Sequence, residues 1–62
     1  MEFGKLLEKA HTGDHDSMFT VAECYYWGEG FEEDLDEALF WYKKAADNGD
    51  EFAQKKLKKM QG

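Results

Sequence analysis

The chain has 62 residues, with 8 basic and 14 acidic side chains, a formal net charge of −6, 16% aromatics and no proline. That charge repels a phosphate backbone and an anionic membrane surface alike, which sets aside nucleic acid and lipid as primary partners. A chain this short buries only about 60% of its unfolded surface, so one small domain with a dense aromatic core is expected.

Beta-branched residues are limited to Thr12, Thr20 and Val21, and helix is favoured throughout. The pattern predicts four helices, roughly Glu2 to His11, His15 to Trp27, Leu35 to Asp47 and Asp50 to Met60. Gly13, Gly28 and Gly49 each follow a helical pattern, where a left-handed residue closes the C-terminus without a Cβ penalty. Asp14, Asp34 and Asp50 can each cap the next helix, and Asp34 with Glu37 has the D-x-x-E spacing of a capping box.

The first helix ends in "KAHTGD", which recurs loosely as "AADNGD" at Ala45 to Asp50. Gly13 and Gly49 lie 36 residues apart, and the same offset pairs Phe3 with Leu39, Leu6 with Tyr42, Ala10 with Ala46, Val21 with Leu57 and Cys24 with Met60. Apolar thus meets apolar at nearly every core-like position, the mark of an internal repeat. Around this first turn His11, Asp14, His15 and Asp16 imitate a metal cluster, but Gly13 breaks the helix between them and removes the meaning of the i, i+4 spacing. No metal site is expected there.

The second helix carries two stripes. Met18, Val21, Ala22 and Tyr25 fall on one side and are assigned to the helix–helix core. Asp16, Phe19, Glu23, Tyr26 and Trp27 form the other, which joins acids to large aromatics. Cys24 has no basic neighbour to lower its pKa, so a buried structural thiol is expected, and a lone cysteine gives no internal disulfide. The stretch "CYYWGEGFEED" that follows looks at first like a nucleotide loop. Glu32, Glu33 and Asp34 would repel a phosphate, however, and no strand-like run precedes the glycines. Gly28 and Gly30 are therefore turn residues, with Phe31 as the anchor of the loop.

Trp41 and Tyr42, between Ala38 and Ala45, are expected in the core of the third helix. Lys55, Lys56, Lys58 and Lys59 crowd the fourth, where basic side chains compensate the helix dipole. No Ser-His-Asp or paired-carboxylate arrangement stands out, so no catalytic residue and no cofactor are expected.

The segment from Gly13 to Gly49 resembles one complete Sel-one-like repeat, a helix-turn-helix relative of the tetratricopeptide repeat. The matching residues are Ser17, Met18, Val21, Ala22, Tyr25, Gly28 to Phe31, Asp34, Ala38, Trp41, Tyr42, Lys44 to Ala46 and Gly49. Ala22 stands where the family prefers Gly, Val21 where Leu is commoner, Glu32 where Pro often sits and Trp27 where a polar residue is usual. The single Cys24 does not match the family's cysteine-rich, secreted branch. The resemblance implies an all-α, short antiparallel helix-turn-helix solenoid. It places a half-repeat helix at 1–13, the complete repeat at 14–49, and a half-repeat or capping helix at 50–62. It also implies antiparallel pairs stacking into the start of a right-handed superhelix, the first helix of each pair lining a concave face. Such repeats act as scaffolds for peptides or partner proteins.

The second stripe is the candidate protein-binding surface: Asp16, Phe19, Glu23, Tyr26 and Trp27, joined through the 36-residue offset by Phe52, Lys55 and Lys59. Ring faces attract Lys and Arg, and carboxylates steer them, so the expected partner is a basic or amphipathic peptide or helix. Two readings stay open, because the same aromatics would also serve to pack against the flanking half-repeats or a second copy of the chain. The functional expectation is a noncatalytic adaptor. The alternatives are a small inhibitor or immunity-type protein acting through its acidic surface, or a minimal or engineered repeat without a partner. Homodimerisation through the end helices is a further expectation, since solenoids normally need about three repeats. A cytoplasmic setting is the default, whether the sequence is a whole protein or a piece of a longer, targeted one.

Overall fold

A computed structural model of the protein describes residues 3–28 and 32–61. They form four helices, α1 (Phe3–His11), α2 (His15–Trp27), α3 (Leu35–Asp47) and α4 (Glu51–Gln61). Glu2, Glu29, Gly30 and Phe31, and with them the second glycine of the turn and its aromatic anchor, lie outside the described residues.

Glycine and aspartate set the helix ends as a pair. After α1, the Gly13 N–H donates to the Ala10 carbonyl at 3.3 Å and the Asp14 N–H to the Lys9 carbonyl at 3.3 Å. After α3, Gly49 donates to Ala46 and Asp50 to Ala45, both at 3.0 Å. Both are Schellman closures, with Gly13 at φ 98° and Gly49 at φ 94° in the left-handed region. The residue that completes each closure also starts the next helix. Asp14 accepts from the Asp16 N–H at 3.2 Å and the Ser17 hydroxyl at 2.9 Å, while Asp50 accepts from the Ala53 N–H at 3.0 Å. Asp50 therefore stands outside α4 as its cap, and the helix begins one residue later than the pattern predicts.

The third junction differs. The Gly28 N–H closes α2 by donating to the Cys24 carbonyl at 2.9 Å. Asp34 accepts from the Glu37 N–H at 3.1 Å, as the D-x-x-E spacing predicts. Its own N–H donates to the Tyr25 carbonyl at 3.0 Å, so the end of α2 takes the group that a capping-box Glu37 side chain would take.

Consecutive helices pack as α1 on α2, α2 on α3 and α3 on α4. The His11 ring meets Trp41 edge-on at 5.5 Å, and Phe19 of α2 meets Phe52 of α4 at 6.2 Å. These contacts put α1 beside α3 in one layer and α2 beside α4 in the other. The Cα envelope is 14 Å along its shortest axis, which fits one interaxial spacing of ~9 Å plus a backbone radius of ~2.3 Å on each side.

The core alternates small and large side chains. Ala10, Ala22, Ala38, Ala45 and Ala53 let the backbones approach, and Met18, Val21, Trp41 and Tyr42 fill the space between them. Met18, Val21 and Ala22 are buried as the α2 stripe predicts, with Tyr25 half-buried at its end. Trp41 and Tyr42 are core, as expected. Cys24 is half-buried, not buried as expected.

Candidate protein-binding face

The acid-and-aromatic stripe of α2 divides into two groups. Phe19 and Tyr26 are half-buried, and their rings lie 5.6 and 6.3 Å from Tyr42, which has no exposed surface. They form the lid of the core. Trp27 remains 62% exposed at the end of α2, and across the layer Phe52 of α4 is 70% exposed. These two rings are apolar surface that packing leaves open on this layer, while Leu35 and Phe40 of α3 are about half exposed elsewhere.

The polar groups on this face hold the rings in place. The Trp27 indole N–H donates to Glu23 Oε2 at 2.6 Å across one helical turn, while the Tyr26 and Trp27 rings meet edge-to-face at 4.8 Å. Beneath them, burial pushes the Tyr42 phenol well above its usual value, and the Glu23 carboxylate acts in the same direction. The Tyr42 hydroxyl and Glu23 do not reach hydrogen-bond geometry, and the hydroxyl has no partner among the described residues. Asp16 is exposed at the N-terminal end of the stripe.

Of the α4 residues predicted beside the stripe, the structure brings Phe52 to Phe19. Lys55 instead lines a shallow depression with Glu51, Gln54 and Lys58, and Lys59 is exposed in the last turn. The cation that reaches the aromatics is Lys56. Its ammonium lies 4.2 Å from the Tyr26 ring centre and 5.3 Å from that of Trp27. Lys56 is one turn after Phe52 on the same helix face, and this i, i+4 relation was the available signal. At the outer end of the face, Tyr26, Trp27, Glu33, Leu35 and Met60 line a cavity of about 400 Å³.

A second polar cluster forms where α2 meets the start of α4. His15 Nδ1 lies 3.0 Å from Asp50 Oδ2 and 3.4 Å from Asp16 Oδ1. Asp50 is only 3% exposed. The hydrogen bond that the protonated His15 ring donates to Asp50, reinforced by the neighbouring acids, raises the His15 pKa above its ordinary value. His15, Asp16 and Asp50 are the described residues whose ligand atoms, within 4.8 Å of one another, could hold a cation. Capping of α4 and pairing with His15 already account for both Asp50 oxygens. His11 takes no part, since its ring faces Trp41.

Two layers of antiparallel helices, closed by paired glycine–aspartate turns at a 36-residue spacing, define a helix-turn-helix repeat protein. Residues 15–50 match the Sel1 repeat, and the chain belongs to that family. No curated protein and no solved structure matches it. Sel1 repeats generally mediate protein–protein interaction. Among the described residues no helix is long and apolar enough to cross a membrane.

Proposed function

We propose that the chain is a noncatalytic adaptor that binds a basic or amphipathic peptide or helix across the α2/α4 layer, in a cytoplasmic setting. The observation that carries this reading is the pair Trp27 and Phe52, large rings left mostly exposed on the layer built from first-type helices. Asp16 and Glu23 on the same face supply charge of the sign that steers a basic partner. Phe19 and Tyr26 contribute by holding that face on Tyr42, and their removal would disturb the fold along with binding. The informative variant is Trp27→Ala/Phe52→Ala, compared with wild type for retention of a crosslinked partner. Undiminished retention by this variant sinks the reading. Loss that follows Glu32→Gln/Glu33→Gln/Asp36→Asn instead favours an inhibitor acting through the exposed acids that precede and open α3.

Dimerisation through the end helices has less support. The 36-residue offset that maps α2 onto α4 replaces Met18 by Gln54 and Ala22 by Lys58, and the one that maps α3 onto α1 replaces Trp41 by Lys5 and Ala45 by Lys9. All four replacements are exposed. End-to-end stacking would set lysines against lysines where an internal repeat has its core, whereas polar outer faces are what terminal helices of a solenoid need. The expected species is a monomer, and a concentration-dependent sedimentation coefficient would overturn that expectation.

A further inference from the structure

We propose that Tyr26, Trp27 and Glu23 form a receptor for an alkylammonium group, the lysine side chain of a partner, which Lys56 fills in the free chain. The identification of the partner as a protein rests on the adaptor reading above; the receptor itself does not. The two rings stand at 77° to each other, two walls of a box. One ammonium reaches both, at 4.2 and 5.3 Å from the ring centres, inside the ~6 Å range of cation–π attraction. The Glu23 carboxylate fixes the Trp27 indole through its N–H and adds negative charge at the border of the box. Trp27 is mostly exposed, so the box is open to solvent.

Lys56 shows which chemistry the box accepts, and its own attachment is slight. It makes no ion pair among the described residues, and its contacts with the box are to ring faces alone. A lysine has a flexible four-carbon stem that can swing into water. Binding is then an exchange, in which an incoming ammonium takes the box and the Lys56 ammonium is hydrated. Charge is conserved in the box. The tethered competitor lowers the affinity of the free chain, as any intramolecular ligand at high effective concentration does. A quaternary ammonium, weakly hydrated and well matched to ring faces, is the most sensitive probe.

The test is a titration of the full chain with tetramethylammonium chloride, following the Trp27 indole and Tyr26 ring signals by NMR, with sodium chloride at equal ionic strength as the control. Saturable shifts are expected, with a dissociation constant about threefold to tenfold lower in Lys56→Met than in wild type. Equal constants in the two chains, or shifts that sodium chloride reproduces, would overturn the proposal. Should Lys56→Met fail to fold, the wild-type chain still decides. Tetramethylammonium should then move the Lys56 side-chain signals from ring-shielded to ordinary positions, and their failure to move overturns the exchange. A short lysine peptide forms the second arm. A box that takes tetramethylammonium but not this peptide overturns the lysine assignment. If both bind while partner retention ignores Trp27→Ala/Phe52→Ala, the receptor stands and the adaptor reading falls.

Discussion

The turns at Thr12–Asp14 and Asn48–Asp50 share one hydrogen-bond pattern and differ in what surrounds them. Asp14 is exposed, and the Ser17 hydroxyl that donates to it holds its carboxyl below the ordinary value. Asp50 is buried, because α2 lies beside α4 and brings His15 onto its second oxygen. A repeat motif therefore fixes local geometry, while the position of the motif in the stack decides which copy carries tertiary structure. The first copy is a helix start, and the second is also a clamp between α2 and α4.

The largest expected effect comes from removing the clamp. Asp50→Ala should cost about 2 kcal/mol, the upper end of the range for a lost N-cap. A 62-residue domain has only roughly 3–9 kcal/mol in all. Asp14→Ala should cost less, and urea unfolding followed by far-UV circular dichroism will rank the two. Equal losses would mean that burial at Asp50 adds nothing. Next come the paired glycines. A Cβ at Gly13 or Gly49 meets nothing within 4 Å, so only the left-handed conformation penalises alanine, by about 1 kcal/mol at each. Here the two turns should respond alike, and a clear difference would show that their surroundings reach the backbone too. Gly4, helical and equally open, supplies the opposite sign: Gly4→Ala should stabilise by about 0.5 kcal/mol in the same assay.

The smallest effect is that of pH, because His15 is partly open to screening solvent. Its pKa is raised in the folded chain by Asp50 first, then by Asp16 and Asp14. A raised value means that the stabilisation is fully present below the ordinary imidazole value of 6.5 and is lost as pH climbs through the higher folded value. Thermal unfolding midpoints should fall across that window in wild type and less in His15→Asn. Parallel curves would remove His15 from the clamp.

The helices were legible because the punctuation is local: a glycine with room for positive φ, followed by an aspartate two or three residues before the N–H it caps. The small-and-large core of α2 and α3 was legible for a similar reason, since Met18, Val21, Ala22, Trp41 and Tyr42 keep helical spacing. What the sequence hid is pairing across the layer. An offset of 36 residues identifies equivalent positions, not touching ones, and so it pointed to Lys55 and Lys59 where the packing brings Lys56. Nor could periodicity separate Tyr26 from Trp27. The two are adjacent in sequence, and only the location of Tyr42 decides which ring covers the core. The His15–Asp50 contact joins residues 35 apart, beyond the reach of any local pattern.

The two glycine–aspartate turns have a consequence for chain length. Each is three residues long, and its last residue both completes one helix end and caps the next. An inserted residue would turn the following helix by about 100° and carry its buried stripe away from its neighbour. The connection from Gly28 to Asp34 spans seven residues. Length variation, whether natural or introduced by grafting a foreign peptide, is expected to be tolerated in that connection and refused at the other two.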